Sequence, residues 1–317
     1  MAQSAKRVRL KPADSFDLIR LLARSQNDPR KAVAELVQNS LDAQARRVDV
    51  SWFTEQRTRA LRVFDDGEGV FPDLPREEAL RKIAQTIGHS HKKHLTPVER
   101  QRLMAVGKYG IGLLGFWAVG KFMEIRSRVN GGDAWCLRLE EDSPDAALVP
   151  ARRRRLDELE TYTEVTVLAV HEGIDRQIRP SRLHAYLASE LRGQLLRRKV
   201  DLQIHDRVAR GRSQKVYVVR AQRFHGRPLK QFTELSVTGH EAARLDLYLV
   251  DDDERQGRVA LACAGSTVLD DLRDIDGTGE PRAPWASGRL EGVIDAWPSS
   301  ILPSGPRAGS SGVGAFA

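Results

Sequence analysis

Apolar positions in the first half of the chain switch repeatedly between helical and strand spacing. Val33, Leu36, Val37 and Leu41 recur at helical intervals, and Asp28 followed by Pro29 supplies an N-cap and a proline at the first helical position. This predicts a helix over 29–44. Two short strands, 48–53 and 61–64, follow across a charged turn, then a helix over 77–85. The stretch 86–106 is rich in His and Lys without a clean period and reads as a mobile loop, after which 110–121 reads as a helix and 122–128, 134–139 and 164–170 as strands.

Beyond His171 the pattern predicts a helix over 182–199 and strands at 200–205, 215–221, 245–250, 259–264 and 290–295. The alternation indicates an α/β (α+β) chain with an expected division into 10–172 and 173–297. The tail, 298–317, is rich in Ser, Gly and Pro and reads as disordered or truncated. Four successive arginines, Arg152 to Arg155, suggest a solvated hairpin tip.

Composition narrows the function classes. With 317 residues, 41% hydrophobic and 30% charged, collagenous, mucin-like and wholly disordered chains are excluded. The longest nearly uncharged apolar run, 109–120, is far shorter than the roughly 20 residues that span a bilayer, so no membrane partner is expected. The basic N-terminus has no apolar core behind it, which argues against a secretory signal and makes a cytoplasmic location the expectation. Two cysteines, Cys136 and Cys263, support neither a disulfide framework nor a four-ligand zinc site. Net charge is +8, and 175–230 holds fifteen Lys and Arg against four acids, so the basicity belongs to the second half. An anionic partner, DNA or another polyanion, is the expectation for that segment.

Three clusters carry candidate chemistry. At about 100° per residue, Glu35, Asn39 and Asp42 lie within roughly 60° of one another on the first helix, a stripe that is either solvated surface or the wall of a site. Asp65-Asp66-Gly67-Glu68-Gly69 follows a strand directly, which can set a carboxylate beside a flat ligand while the glycines let backbone approach, or can simply be a turn. Gly107-Lys108-Tyr109-Gly110-Ile111-Gly112 opens an apolar helical stretch, where free backbone N–H groups can face phosphates. A dinucleotide fingerprint should leave a first strand, and here a polar loop precedes it. The phosphate-loop signature requires Ser or Thr after Gly-Lys, where this chain has Tyr109.

In this order, with a loop of about forty residues between the second and third, the clusters resemble the GHKL superfamily of ATPases, which includes gyrase-type topoisomerases, the ninety-kilodalton heat-shock chaperones, MutL and the MORC proteins. The run from Lys31 to Ala43 looks most like the chaperone, MORC and MutL branch. The resemblance covers 28–170 and implies a Bergerat-type ATP-binding α/β sandwich followed by a smaller, mixed-sheet, transducer-like domain.

It further implies ATP and Mg²⁺ as ligands. Glu35 would be the general base for the attacking water, and Asn39 would give its amide oxygen to Mg²⁺. Asp65 would accept from the adenine amino group and Asp42 would support the adenine side. Gly67 and Gly69 would make room for the base, and the run Gly107, Lys108, Tyr109, Gly110, Ile111 and Gly112 would meet the phosphates. Thr163 matches a late threonine that reaches adenine, although this chain has Tyr162 where glycine commonly precedes it. The loop 86–106 falls where the family has its ATP lid. There Lys92 and Lys93 are either phosphate contacts or solvated, and His89, His91 and His94 lack the companions of a metal site.

The leading expectation is therefore a Mg-dependent ATPase whose lid closure drives a conformational change, with ATP-dependent homodimerisation and a DNA or protein client as the implied partners. Two alternatives stand beside it. One is a nucleic-acid-binding protein that uses ATP only as a structural ligand. The other is a histidine kinase of the same superfamily, against which Glu35 and the lack of an upstream phosphoacceptor helix both argue.

Overall fold

The protein is described from a computed structural model, which covers residues 15–25, 27–85, 112–151, 159–208, 214–236, 242–251, 257–263, 265–274 and 284–296. The stretch 86–106 expected to form a lid, the run from Gly107 to Ile111 expected to face phosphates, the arginines 152–155 and the tail 298–317 lie outside these residues.

The chain opens with helix α1 (Ser15–Arg24) and helix α2 (Pro29–Asp42). The Asp28 carboxylate accepts from the Arg30 N–H at 2.9 Å, which satisfies one of the donors a helix start leaves orphaned. Strands β1 (Arg47–Glu55) and β2 (Thr58–Asp65) form a hairpin, and α3 (Arg76–Gln85) follows. After a 3-10 segment, Gly112–Ala118, come β3 (Gly120–Arg128), β4 (Trp135–Glu140), β5 (Ala146–Pro150) and β6 (Tyr162–Val170). The helix expected over 110–121 is thus replaced, where it is described, by a short 3-10 stretch and the start of a strand. Three glycines in 112–120 and the pairing of Gly120 with Val170 pull that segment into the sheet.

Helices α4 (Asp175–Ile178), α5 (Pro180–Glu190) and α6 (Arg192–Arg197) then carry the chain back across the sheet to β7 (Asp201–Asp206) and β8 (Lys215–Val219). The single helix expected over 182–199 is two, broken at Leu191. β7 lies parallel to β1, pairing Val48 with Leu202 and Val50 with Ile204. The first sheet therefore has eight strands in the order β5-β4-β3-β6-β2-β1-β7-β8. Two of its strands come from beyond residue 173, so the division expected there does not coincide with the end of this sheet.

One face of the sheet meets the helices. Val48, Val50, Leu61, Val63, Met123, Ile125, Val167, Leu202 and Ile204 are buried against Val33, Val37 and Leu41 of α2 and Leu183 and Leu187 of α5. A second sheet is built from β9 (Arg227–Pro228), β10 (Glu234–Leu235), β11 (Ala243–Leu249), β12 (Val259–Cys263), β13 (Ser266–Leu269) and β14 (Leu290–Ala296). Its order is β10-β11-β14-β12-β13, with β9 on β11 and with β12 parallel to β14. A smaller core of Ala243, Leu247, Val259, Leu290, Ile294 and Ala296 holds it. Cys136 lies on β4 and Cys263 on β12, in different sheets. Among the described residues, no helix is long and apolar enough to cross a membrane.

Candidate nucleotide site

The helix α2 turns its apolar side to the sheet, which leaves Glu35, Asn39 and Asp42 on its least buried side: Asn39 is exposed and the two acids are half-buried. Burial pushes the Glu35 carboxyl above its ordinary value, with the Lys31 ammonium opposing the rise. The Asp42 carboxylate accepts from Gln38 Nε2 at 3.0 Å and lies 3.5 Å from a guanidinium nitrogen of Arg198.

Asp65 is the last residue of β2 and lies on the helix-facing row of Leu61 and Val63. That places its carboxylate beneath the last turns of α2, where Ser40 Oγ donates to Oδ2 at 2.8 Å and the Gly67 N–H donates to Oδ1 at 3.0 Å. Only 4% of Asp65 is exposed, and burial pushes its carboxyl up to about 6 against the pull of those two donors. Ser40 is a residue that sequence reasoning missed. Its single clue was a hydroxyl at a position of α2 otherwise reserved for apolar side chains.

Both glycines of the second cluster have steric reasons to be there. A Cβ on Gly67 would stand 2.5 Å from the Ala43 carbonyl oxygen, because the Glu68 N–H donates to that carbonyl at 2.8 Å and draws the loop against the end of α2. Gly69 has φ +81° and its Cβ would stand 2.5 Å from Val129 Cγ2. The adjoining Asp66 turns away, accepting from the Arg46 and Arg47 N–H groups at 2.8 Å each and fixing the loop to the start of β1. Arg76, a second residue not anticipated, gathers the Val70, Phe71 and Leu74 carbonyls around one guanidinium and so shapes the loop that leaves the glycines.

Thr163 on β6 is the direct cross-strand partner of Asp65, and both are buried. Neighbouring residues on a strand point to opposite faces, so Tyr162 projects to the other side of the sheet. There it is fully buried, its ring 6.1 Å from that of Phe64 and its hydroxyl accepting from Arg126 Nε at 2.7 Å. A tyrosine in place of glycine therefore leaves the Thr163 side of β6 clear.

Gly112 begins the 3-10 segment, and Gly115 within it comes so near α2 that its Cβ would stand 3.1 Å from that of Ala32. The structure thus brings Glu35, Asn39, Asp42, Asp65, Gly67, Gly69, Gly112 and Thr163 around α2 and the adjoining strand ends. Gly107, Lys108, Tyr109, Gly110 and Ile111 lie outside the described residues. Glu190 of α5 was also not anticipated. Burial pushes its carboxyl up to about 7, Lys31 opposes the rise, and Asp270, Asp28 and Glu35 reinforce it.

Residues 27–164 match the family model described as "Histidine kinase-, DNA gyrase B-, and HSP90-like ATPase". This part of the chain is thus similar to the ATPase domains of the GHKL superfamily. Among curated proteins, the DNA mismatch repair protein MutL of Rhizorhabdus wittichii is 34% identical over 136 residues, or 41% of this chain and 21% of that protein. MutL of Azotobacter vinelandii is 32% identical over 124 residues and MutL of Pseudomonas paraeruginosa 29% over 123, each covering 39% of this chain and 18% of the relative. The chain thus spans about a fifth of the length of these curated relatives. The GHKL region falls within the first sheet and its helices, while β7 and β8 complete that sheet from outside it.

Proposed function

We propose that this chain is a Mg-dependent module that binds and hydrolyses ATP, and that its nucleotide site lies between α2 and the ends of β2 and β6. The observation that carries the reading is the Asp65 carboxylate, buried beneath α2, held by Ser40 and Gly67 and paired across the strands with Thr163. A buried acid with no cation on it among the described residues is costly to the folded state, which marks it as a binding-site candidate, and an exocyclic amino group is the donor such an acceptor suits.

Around that anchor each residue has a task. Asp65 accepts from the adenine amino group, and Thr163 supports the same edge of the base. Glu35, on the more open side of α2, takes a proton from the water that attacks the terminal phosphate, and the burial that raises its carboxyl makes its ionised form a stronger base. The Asn39 amide oxygen is a hard donor on the exposed stripe and fits Mg²⁺, which takes one or two protein oxygens and fills the rest of its shell with water and phosphate oxygens. When bound, Mg²⁺ neutralises charge on the phosphates. The run from Gly107 to Gly112 supplies backbone N–H groups to the phosphates, and closure of 86–106 over the nucleotide drives the conformational change.

The likeness to MutL favours a DNA-related client and nucleotide-dependent self-association. Exposed Arg176, Arg179, Arg182, Arg220 and Arg223 offer phosphate contacts in the second half. Calorimetric titration with a non-hydrolysable ATP analogue, beside ATPase assays with and without DNA at several protein concentrations, tests the reading. No binding of the analogue overturns it. Labelled phosphate transferred to the protein, in place of free phosphate, points to the histidine kinase.

A further inference from the structure

Two neighbouring arginines at the end of α6 reach in opposite directions. Arg197 donates to the Asp295 carboxylate of β14, in the second sheet, and that carboxylate also accepts from the Gly265 N–H at 2.9 Å. Arg198 donates to the Leu41 carbonyl in the last turn of α2, and its guanidinium lies 3.5 Å from Asp42 Oδ1. The divergence follows from the backbone. Arg198 is the first residue past the helix, with φ −118° and ψ 140°, so its side chain leaves the helical spiral that Arg197 still follows.

The rest of α6 is fastened to the second sheet. Arg192 donates to Asp246 of β11 and, through Nε, to the Gln222 carbonyl at 2.9 Å, and its guanidinium lies 4.4 Å from the centre of the Phe224 ring. Gly193 meets the β12–β13 turn backbone to backbone: a Cβ there would stand 2.5 Å from Gly265 Cα. The second sheet is thus held to this six-residue helix, and the residue that follows it caps the helix carrying Glu35, Asn39 and Asp42.

We propose that Arg198 is a positioning residue for the nucleotide site, and that the Arg197–Arg198 pair mechanically links the end of α2 to β14. The proposal rests on the ATP reading of the site. A cation on the final carbonyls of a helix is favourable for the helix dipole, so Arg198 holds the last turn of α2 in the place from which Ser40 reaches Asp65. A ligand that settles on Asp65 and Asn39 orders that turn, and the ordering passes through Arg198 to Arg197 and Asp295. By reciprocity, anything that fixes the second sheet tightens nucleotide binding.

The test uses the whole chain, the analogue AMPPNP, calorimetric affinity and hydrogen–deuterium exchange at 290–296. In the parent, AMPPNP slows exchange in β14. R198M binds AMPPNP about 5- to 10-fold more weakly and loses that protection, whereas R198K, which keeps the cation, recovers most of both. R197M loses the β14 response and, by the same reciprocity, binds AMPPNP more weakly than the parent but less so than R198M. Parental affinity in R198M, or β14 protection retained in R197M, overturns the link. If R198M melts early, R198K and R197M decide, because each keeps the cap on α2. A parent that binds no AMPPNP overturns the site reading and the link with it, while binding by the parent with R198M unaffected overturns the link alone.

Discussion

Replacing Asp65 by Asn should move binding and stability in opposite directions. The carboxyl is held near 6 where 3.8 is ordinary, so its ionised form costs the folded state about 3 kcal/mol. Because the folded value lies above the unfolded one, the contribution of Asp65 to stability is intact below about pH 4 and is lost as the pH rises to about 6. An asparagine can keep its carbonyl oxygen on the Gly67 N–H and turn its NH₂ toward Ser40 Oγ, whose own hydrogen then goes to the Leu36 carbonyl, 3.4 Å away. At pH 8, D65N should therefore recover on the order of 1–3 kcal/mol, a rise of several degrees in melting temperature, and at pH 4.5 it should melt at or below the parent. ATP should suffer the reverse. Losing a charged acceptor costs about 1.5–3 kcal/mol, so binding should weaken roughly 10- to 100-fold. Melting curves at the two pH values and calorimetry with AMPPNP read both arms. A variant less stable than the parent at pH 8, or one that binds the analogue as tightly, refutes the reasoning.

Glu35→Ala should keep AMPPNP affinity while lowering turnover about 100-fold or more, measured as released phosphate; a parental rate would remove Glu35 from the chemistry. Lys31 holds the Glu35 carboxyl down, so Lys31→Met should shift the acid limb of the pH–rate profile to higher pH; no movement would sever that electrostatic neighbourhood from turnover. Gly69→Val should lower stability by about 2 kcal/mol or more, since it strains φ +81° and collides with Val129, and an unchanged melting temperature would show that the loop re-forms elsewhere. Changing Arg176, Arg179 and Arg182 together to Glu should abolish salt-sensitive binding of duplex DNA in fluorescence anisotropy. Binding untouched by the reversal would leave these arginines without a DNA role.

The local chemistry of the site was legible before the structure because it is written in short spacings. Asp28-Pro29 announces α2, the 3.6-residue period sets Glu35 and Asn39 on its open side, and Asp65 with its glycines follows a readable strand. What the sequence hid is tertiary. Periodicity says that β7 is buried on one side, yet not that its neighbour is β1, more than 140 residues earlier. Arg197 and Arg198 belong to the basic segment 175–230, for which the sequence alone suggests an anionic partner. In the folded protein they are committed to Asp295, Leu41 and Asp42, so a reversal there would break the fold's own contacts. Ser40 escaped notice for a related reason. A lone serine in an apolar helix side is ordinary until a carboxylate is found beneath it.

The parallel pairing of β1 with β7 also sets a timetable for synthesis. β1 leaves the ribosome long before residues 201–206, and until they arrive one of its edges presents bare N–H and C=O groups. Closing that gap waits on a separation in sequence that is slow to bridge, so the nascent first sheet passes through an interval in which it can pair with the wrong strand or with another chain. A fragment ending at 172 would stay in that interval permanently. It should aggregate or dimerise through β1, whereas a fragment reaching 219 closes the edge with its own chain.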